Sequence, residues 1–148
     1  SAHAQQIDTL LEETGLVEFS HFHPTRISVG MQRRVALARD FVVHPSLLIM
    51  DEPFVSLDDP TACQLRQLAL EVWNARRTTV IFVTHDLREA TMLADRILFL
   101  SSSPARIIGE TQVGVPREQR SNEAQIESRY ADLRRLFKRL YRRASATA

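Results

Sequence analysis

Cysteine, lysine and glycine are scarce in this sequence, and each scarcity excludes something. Cys63 is the single cysteine among 148 residues, so an internal disulfide is impossible and a reducing compartment is the simpler expectation. No apolar run approaches membrane-spanning length and no secretory leader is visible, so any membrane association is expected to come through a partner. The net charge of +1 gives no general attraction to nucleic acid.

The scarcity of glycine and lysine argues against a phosphate-binding loop. Such a loop, GxxxxGK(S/T), cradles phosphates with its backbone N–H groups and its lysine. Gly109 and Gly114 have the required separation, but Val115 and Pro116 follow them, and the only lysine is Lys138. We therefore interpret the glycine spacing as accidental.

The most informative segment that is present reads LLIMDEPFVSLDD, from Leu47 to Asp59. A short apolar run bounded by breakers predicts a strand that is buried on both faces of a parallel sheet. Asp51 and Glu52 follow it at the sheet edge where such folds place their ligand chemistry. One acid is suited to hold a cation such as Mg²⁺, and its neighbour is suited to take a proton from water.

A second apolar run, TTVIFVTHD, begins at Thr78 and ends with His85 and Asp86. The intervening pattern predicts a helix from Pro60 to Arg76, with Asp59 as its N-cap. A right-handed strand–helix–strand unit would make the two strands parallel. The two acids and the histidine are then expected to converge at one sheet edge, which suits metal-assisted attack of water on a phosphoryl group.

The rest of the chain predicts further helices and strands around this unit. Helices are expected over Gln5–Glu13, Gly30–Val43, Leu87–Leu93 and Glu123–Arg143, strands over Arg96–Leu100 and Ala105–Val113, and a polar linker over Val115–Ser121. His21 and His23 lie in a predicted solvated loop.

Four motifs in one order resemble the ATP-binding cassette (ABC) ATPases. ISVGMQRRVALAR resembles their signature sequence, LLIMDEP their Walker B strand, SLD their D-loop and VTHD their switch-histidine motif. The resemblance covers about Ile7 to Ile108, and the sequence around these motifs is most similar to that of import ATPases for nitrate, sulfonate or taurine. It implies an incomplete P-loop NTPase of ABC type, an α/β fold with part of the parallel sheet, part of the helical subdomain and a C-terminal helix.

The resemblance also implies roles for individual residues. Asp51 would bind Mg²⁺, Glu52 would be the general base, and His85 would contact the γ-phosphate of ATP. Asp58 matches the D-loop acid that communicates across a dimer of two nucleotide-binding domains.

The signature motif implies a phosphate site at the start of a helix. Ser28 and Gly30 would offer backbone N–H groups to ATP that is bound on the opposite subunit. Val29 stands where the family usually has glycine, and its branched side chain disfavours a positive φ, which puts this engagement in doubt.

The implied architecture has three segments. Residues 1–46 would be a remnant of the helical subdomain, residues 47–113 the α/β core, and residues 114–148 a linker and an amphipathic helix. Without a Walker A loop, the chain alone is expected to lack ATPase activity. The absent strand that leads into that loop should leave a gap before Arg96–Leu100, an apolar edge and a tendency to self-associate.

The implied protein is a cytoplasmic subunit that lies at the inner face of the membrane and pairs with transmembrane permease subunits and a second nucleotide-binding domain. Two other classes stay open. One is a DNA-associated ABC-type ATPase, slightly favoured by the basic side of the last helix, which is otherwise a solvated face. The other is a non-catalytic interaction module.

Overall fold

The computed structural model describes residues 2–76 and 78–146. Chain contacts divide it into two compact units, residues 1–83 and 84–148, each of which is described by itself. The first contains α1 (Ala2–Glu13), α2 (Val29–Val42), β1 (Leu47–Asp51), α3 (Asp59–Asn74) and β2 (Thr79–Val83), and the second contains α4 (Leu87–Leu93), β3 (Arg96–Leu100), β4 (Ile107–Gln112) and α5 (Glu123–Ser145). The division into three segments stays a prediction.

The core of the first unit forms around α3. Its buried apolar residues recur at helical spacing, which gives the helix one continuous apolar face. Phe41 of α2 is fully buried, and its ring meets Trp73 edge-on at 6.5 Å between centroids. Trp73 is therefore a core residue of the first unit.

Charged and polar groups connect the helices of this unit. Arg34 donates to the Thr14 carbonyl (3.2 Å) and to the Gln64 side chain (3.3 Å). Arg76 pairs with Glu13 at 2.7 Å, and its guanidinium lies over the Phe41 ring. Arg34, which lies within the signature segment, thus has a structural partner on α3, the Gln64 side chain.

Strands β1 and β2 are parallel, with Leu47 opposite Thr79 and Asp51 opposite Val83. On one face Met50 is buried, whereas the other presents side chains that are 46% to 64% exposed: Leu47, Ile49, Ile81 and Val83. The prediction of burial on both faces is therefore wrong for this exposed sheet face. Within the described ranges, β1 and β2 form a two-stranded sheet.

The second unit is an antiparallel hairpin packed against α5. Ile97, Phe99, Val113 and Leu133 form its buried core, and Phe137 stacks near Phe99 at 5.5 Å. A Cβ on Gly109 would collide with the Leu140 side chain, so any larger residue there would force that side chain of α5 to shift.

The structure accounts for glycine at position 114 by backbone conformation, whereas at position 109 it does so by packing. It turns the chain with φ +73°, a left-handed conformation that glycine adopts without strain. Both glycines therefore have structural roles in the hairpin, in keeping with an accidental loop-like spacing.

In the part of the chain that the structure describes, β2 and β3 belong to different two-stranded sheets. The gap expected between them stays a prediction. Among the described residues, no helix is both long and apolar enough to cross a lipid bilayer.

The predicted polar linker contains a buried arginine, which corrects that expectation. Arg120 is 3% exposed and follows a short 3-10 turn over Arg117–Gln119. It donates to the carbonyls of Leu93 (2.9 Å) and Val115 (3.1 Å) and to the Asp95 carboxylate (2.7 Å). Arg117 contacts the same carboxylate, and this pairing, together with Arg120, holds the pKa of Asp95 below its ordinary value.

Replacing Arg120 with Met should destabilise the second unit by about 3 kcal/mol, because three hydrogen bonds from a buried charged group are lost. Urea unfolding followed by far-UV circular dichroism measures the change. Arg117→Met is the matched control, since that partner of Asp95 is more exposed, and it should cost less than about 1 kcal/mol. Equal losses in both variants would contradict the central role of Arg120.

The exposed sheet face should drive self-association. Ile49→Thr combined with Ile81→Thr should lower the tendency to associate without loss of folded structure, because both side chains are exposed. Sedimentation velocity over a concentration series measures the effect, with Val43→Thr, an exposed substitution off the sheet, as the control. A wild-type chain that stays monomeric at every concentration would refute the expectation.

Candidate functional site

The two acids lie at the carboxyl end of β1, where the parallel ladder continues beyond the last strand residue. The Glu52 N–H donates to the Val83 carbonyl at 2.9 Å. Asp51 is exposed and shares the exposed sheet face with Ile49 and Leu47, because alternate residues of a strand point the same way. Strand pairing therefore fixes the backbone from which both carboxylates project.

Glu52 has an unusual backbone conformation. Its φ is +47°, in the left-handed region that non-glycine residues rarely occupy. Strain of this kind persists where the surroundings impose it, and it is found disproportionately at functional sites. It motivates the hypothesis that a carboxylate at this position is kept for chemistry.

A turn after Glu52 supplies the constraint. The Val55 N–H donates to the Glu52 carbonyl at 3.2 Å, and Pro53 occupies the second turn position, which its fixed φ favours. Phe54 is buried, and its ring lies 6.0 Å from that of Phe82 on β2. Sequence reasoning missed Phe54, because an aromatic residue after Asp-Glu-Pro gives no local sign of which strand it contacts.

The segment that resembles the D-loop ends in a helix cap. The Asp58 carboxylate accepts the Thr61 N–H at 3.1 Å and caps α3, which corrects the prediction that Asp59 is the cap. Asp59 and Pro60 occupy the first two helical positions instead. Hydrogen bonding to Thr61 lowers the pKa of Asp58, so this cap stays charged at neutral pH.

Ser28 caps α2, with its hydroxyl accepting the Met31 N–H at 3.2 Å. Gly30 packs closely against α3, because a Cβ there would lie 3.0 Å from Thr61 Cγ2. Val29 begins the helix, is 60% exposed and has no positive φ. Val29 therefore adopts an ordinary helical backbone, and Gly30 has a packing role besides any role towards phosphate, while the expected weakening of ATP engagement by Val29 stays a prediction.

The contact between Gly30 and Thr61 brings two predicted motifs together. The start of α2, capped by Ser28, lies beside the start of α3, capped by Asp58. The structure thus joins the signature segment and the D-loop segment at two adjacent helix N-termini within one unit.

His85 lies in the loop between β2 and α4 and is exposed. Asp86 caps α4, accepting the Arg88 N–H at 2.7 Å. His85 belongs to the second unit, whereas the two acids belong to the first. The predicted convergence of these three residues stays a prediction.

The residues present fit a magnesium ion in one way. Among the residues that the structure describes, no three His, Cys, Asp or Glu side chains cluster as metal ligands. Mg²⁺ is usually held by one or two carboxylates together with substrate phosphates and water. The exposed Asp51 and the half-buried Glu52 therefore fit such an ion when phosphate oxygens complete its coordination.

Comparison with known proteins agrees with the motifs. The profile of the ABC transporter family matches residues 2–55. The nitrate import ATP-binding protein NrtD of Synechococcus elongatus is 43% identical over 136 residues, which are 90% of this chain and 49% of that protein. The aliphatic sulfonates import ATP-binding protein SsuB 2 of Burkholderia cenocepacia is 38% identical, over 94% of this chain and 52% of that protein.

A solved structure agrees on the fold. The structure of cbiO1 from Clostridium perfringens, part of the ABC transporter complex cbiONQ, superposes with a TM-score of 0.66 at 24% identity, covering 91% of this chain and 52% of that one. This likeness confirms the predicted incomplete α/β fold of ABC type. The chain spans about half the length of the curated relatives it matches. On these matches, the chain belongs to the ABC transporter family of ATP-binding proteins.

Proposed function

We propose that this chain supplies the hydrolytic part of an ABC import ATPase, which couples ATP hydrolysis to solute uptake through membrane permease subunits. The observation that carries the proposal is Glu52, a carboxylate held with φ +47° at the carboxyl end of a parallel strand. A glycine would satisfy this backbone with less strain, so stability alone does not account for the acid.

The proposed chemistry divides between two neighbouring acids. Asp51 helps to hold Mg²⁺, which when bound neutralises charge on the β- and γ-phosphates of ATP. Glu52 accepts a proton from the attacking water, in the role of a general base. His85 donates a hydrogen bond to the γ-phosphate from its exposed loop.

The adjacent helix starts supply a second half-site. The first N–H groups of α2, around Val29 and Gly30, form a positive helix end that suits the phosphates of ATP bound on a second nucleotide-binding subunit. The Ser28 hydroxyl already accepts the Met31 N–H, so it orders this helix end and has its remaining hydrogen-bonding capacity for phosphate. Asp58, the N-cap of α3, would contact the second subunit and so couple formation of the dimer to the position of α3.

Turnover also requires a phosphate-binding loop that these 148 residues do not contain. Gly109 and Gly114 are committed to hairpin packing and to a turn, so they do not substitute for that loop. In the proposal, polypeptide outside this sequence provides the loop together with a strand between β2 and β3.

The transported solute is expected to be a small oxyanion. Relatives that match the chain are named for import of nitrate, bicarbonate and aliphatic sulfonates, all of which are negatively charged oxygen compounds. In the proposal the permease partner recognises the solute, and this subunit acts at the cytoplasmic face of the membrane.

The function is tested by complementation. The chain alone should hydrolyse Mg-ATP negligibly, and co-expression with a polypeptide from a nitrate-type relative that carries GxxxxGK(S/T) should give turnover. Glu52→Gln should lower that rate by about 10²- to 10⁴-fold, the usual contribution of a general base. Phosphate release measures the rate, and Glu12→Gln is the control for loss of an exposed carboxylate. Ordinary turnover by the chain alone, abolished in Glu52→Gln, would overturn the requirement for the loop.

The strain argument has its own test. Glu52→Gly should raise the free energy of unfolding by about 1 kcal/mol, because glycine adopts the left-handed region freely, while it removes the carboxylate. Glu52→Gln keeps the backbone penalty and should leave stability near that of the wild type. Denaturant unfolding compares the variants, and a Glu52→Gly chain less stable than Glu52→Gln would contradict the assigned strain.

A further inference from the structure

A buried carboxylate next to the switch-histidine loop has no part in the proposed chemistry. Glu89, the third residue of α4, is only 7% exposed. Acidic side chains are rarely buried unless a partner compensates for the lost hydration. One compensating partner is the Thr84 hydroxyl, which donates to Glu89 Oε2 at 2.8 Å.

The same threonine also holds the other side of the loop. Thr84 Oγ1 accepts the N–H of Asp86 at 3.0 Å, while its proton points to Glu89. A buried carboxylate thus orients one hydroxyl, and that hydroxyl connects the residues immediately before and after His85.

A second hydrogen bond closes the loop onto the helix. The Asp86 carboxylate accepts the Arg88 N–H at 2.7 Å, which seats the loop on the first turn of α4. The backbone of His85 is therefore held from both neighbours, while its own side chain stays exposed. The hydrogen bonds on both sides fix the position of the His85 backbone, and so the point from which its ring projects.

We propose that Glu89 is a positioning residue for His85, acting through the Thr84 hydroxyl. The Thr84 hydroxyl has one proton, which it donates in a hydrogen bond to the Glu89 carboxylate, so a hydroxyl lone pair faces the Asp86 N–H. Removing the carboxylate frees the hydroxyl to rotate, and removing the hydroxyl leaves both a buried carboxylate and the Asp86 N–H without this bond. The importance of this device for ATP hydrolysis rests on the proposed function of His85.

Thr84 and Glu89, the two residues joined by this hydrogen bond, each have conservative substitutions that separate the effect of the hydrogen bond from the effect of side-chain size. Thr84→Ser keeps the hydroxyl, whereas Thr84→Val keeps the volume and loses it. Glu89→Gln keeps an oxygen that can accept the hydroxyl proton, whereas Glu89→Leu has none. Thr91→Val is the matched control, because the Thr91 hydroxyl is fully buried in the same helix and donates to the Leu87 carbonyl instead.

Amide hydrogen exchange measured by NMR on the chain itself tests the proposal without ATP. Thr84→Val and Glu89→Leu should each raise the exchange rate of the Asp86 amide about tenfold, near the factor for losing one intramolecular hydrogen bond. Thr84→Ser and Glu89→Gln should stay within about threefold of the wild type, and Thr91→Val should leave this amide unchanged relative to its neighbours. The double variant Thr84→Val, Glu89→Leu should add little to either single change, because both break the hydrogen bond between Thr84 and Glu89.

Unchanged Asp86 exchange in Thr84→Val and Glu89→Leu would overturn the proposal, as would equal effects in Glu89→Gln and Glu89→Leu. Should Glu89→Leu fail to fold, the comparison of Thr84→Val with Thr84→Ser tests the same hydrogen bond with a smaller structural change. The complemented ATPase then separates the positioning role of Glu89 from the assigned role of His85 in ATP hydrolysis. Faster Asp86 exchange with a lower kcat and little change in KM for ATP supports both; faster exchange with normal turnover still supports the positioning role and counts against the assigned role of His85.

Discussion

Parallel pairing of β1 with β2 is the constraint on which the candidate site depends. The ladder runs from Leu47 to Asp51 and continues through the Glu52 N–H to the Val83 carbonyl. It places two carboxylates at the strand end, and the Pro53 turn and buried Phe54 then hold Glu52 in a left-handed conformation. The flexible side chains of Asp51 and Glu52 therefore project from a backbone that is fixed in position, and acid–base chemistry requires such positioning.

Helix starts form the second theme of the structure. The N-caps of α2, α3 and α4 are Ser28, Asp58 and Asp86, and each accepts a backbone N–H from the first turn of its helix. Ser28, Gly30, Asp58 and His85 lie on or beside these caps, whereas Asp51 and Glu52 lie at the end of β1. A cap orders the chain just before a helix and leaves neighbouring N–H groups directed towards incoming anions, so one local device serves both folding and phosphate recognition.

Much of the fold was predictable because it rests on short-range patterns. The bounds of α4 and β3 agree with the prediction, and α2 begins one residue earlier than expected. The family and the incomplete α/β fold are confirmed, since four motifs in order are independent local signals. Arg120, Phe54 and Glu89 escaped sequence reasoning, because each depends on a partner that only the folded chain brings near.

The sequence by itself determined the order of strands and helices, the acids after the first strand and the lack of a phosphate-binding loop, because these follow from residue type and spacing. Tertiary structure decided which acid caps α3, how closely Gly30 and Gly109 pack against neighbouring side chains, and that one sheet face stays exposed. Those outcomes depend on which surfaces meet across the fold. Where two surfaces meet, close packing leaves little room for extra atoms. Where nothing covers an apolar face, its side chains stay in solvent.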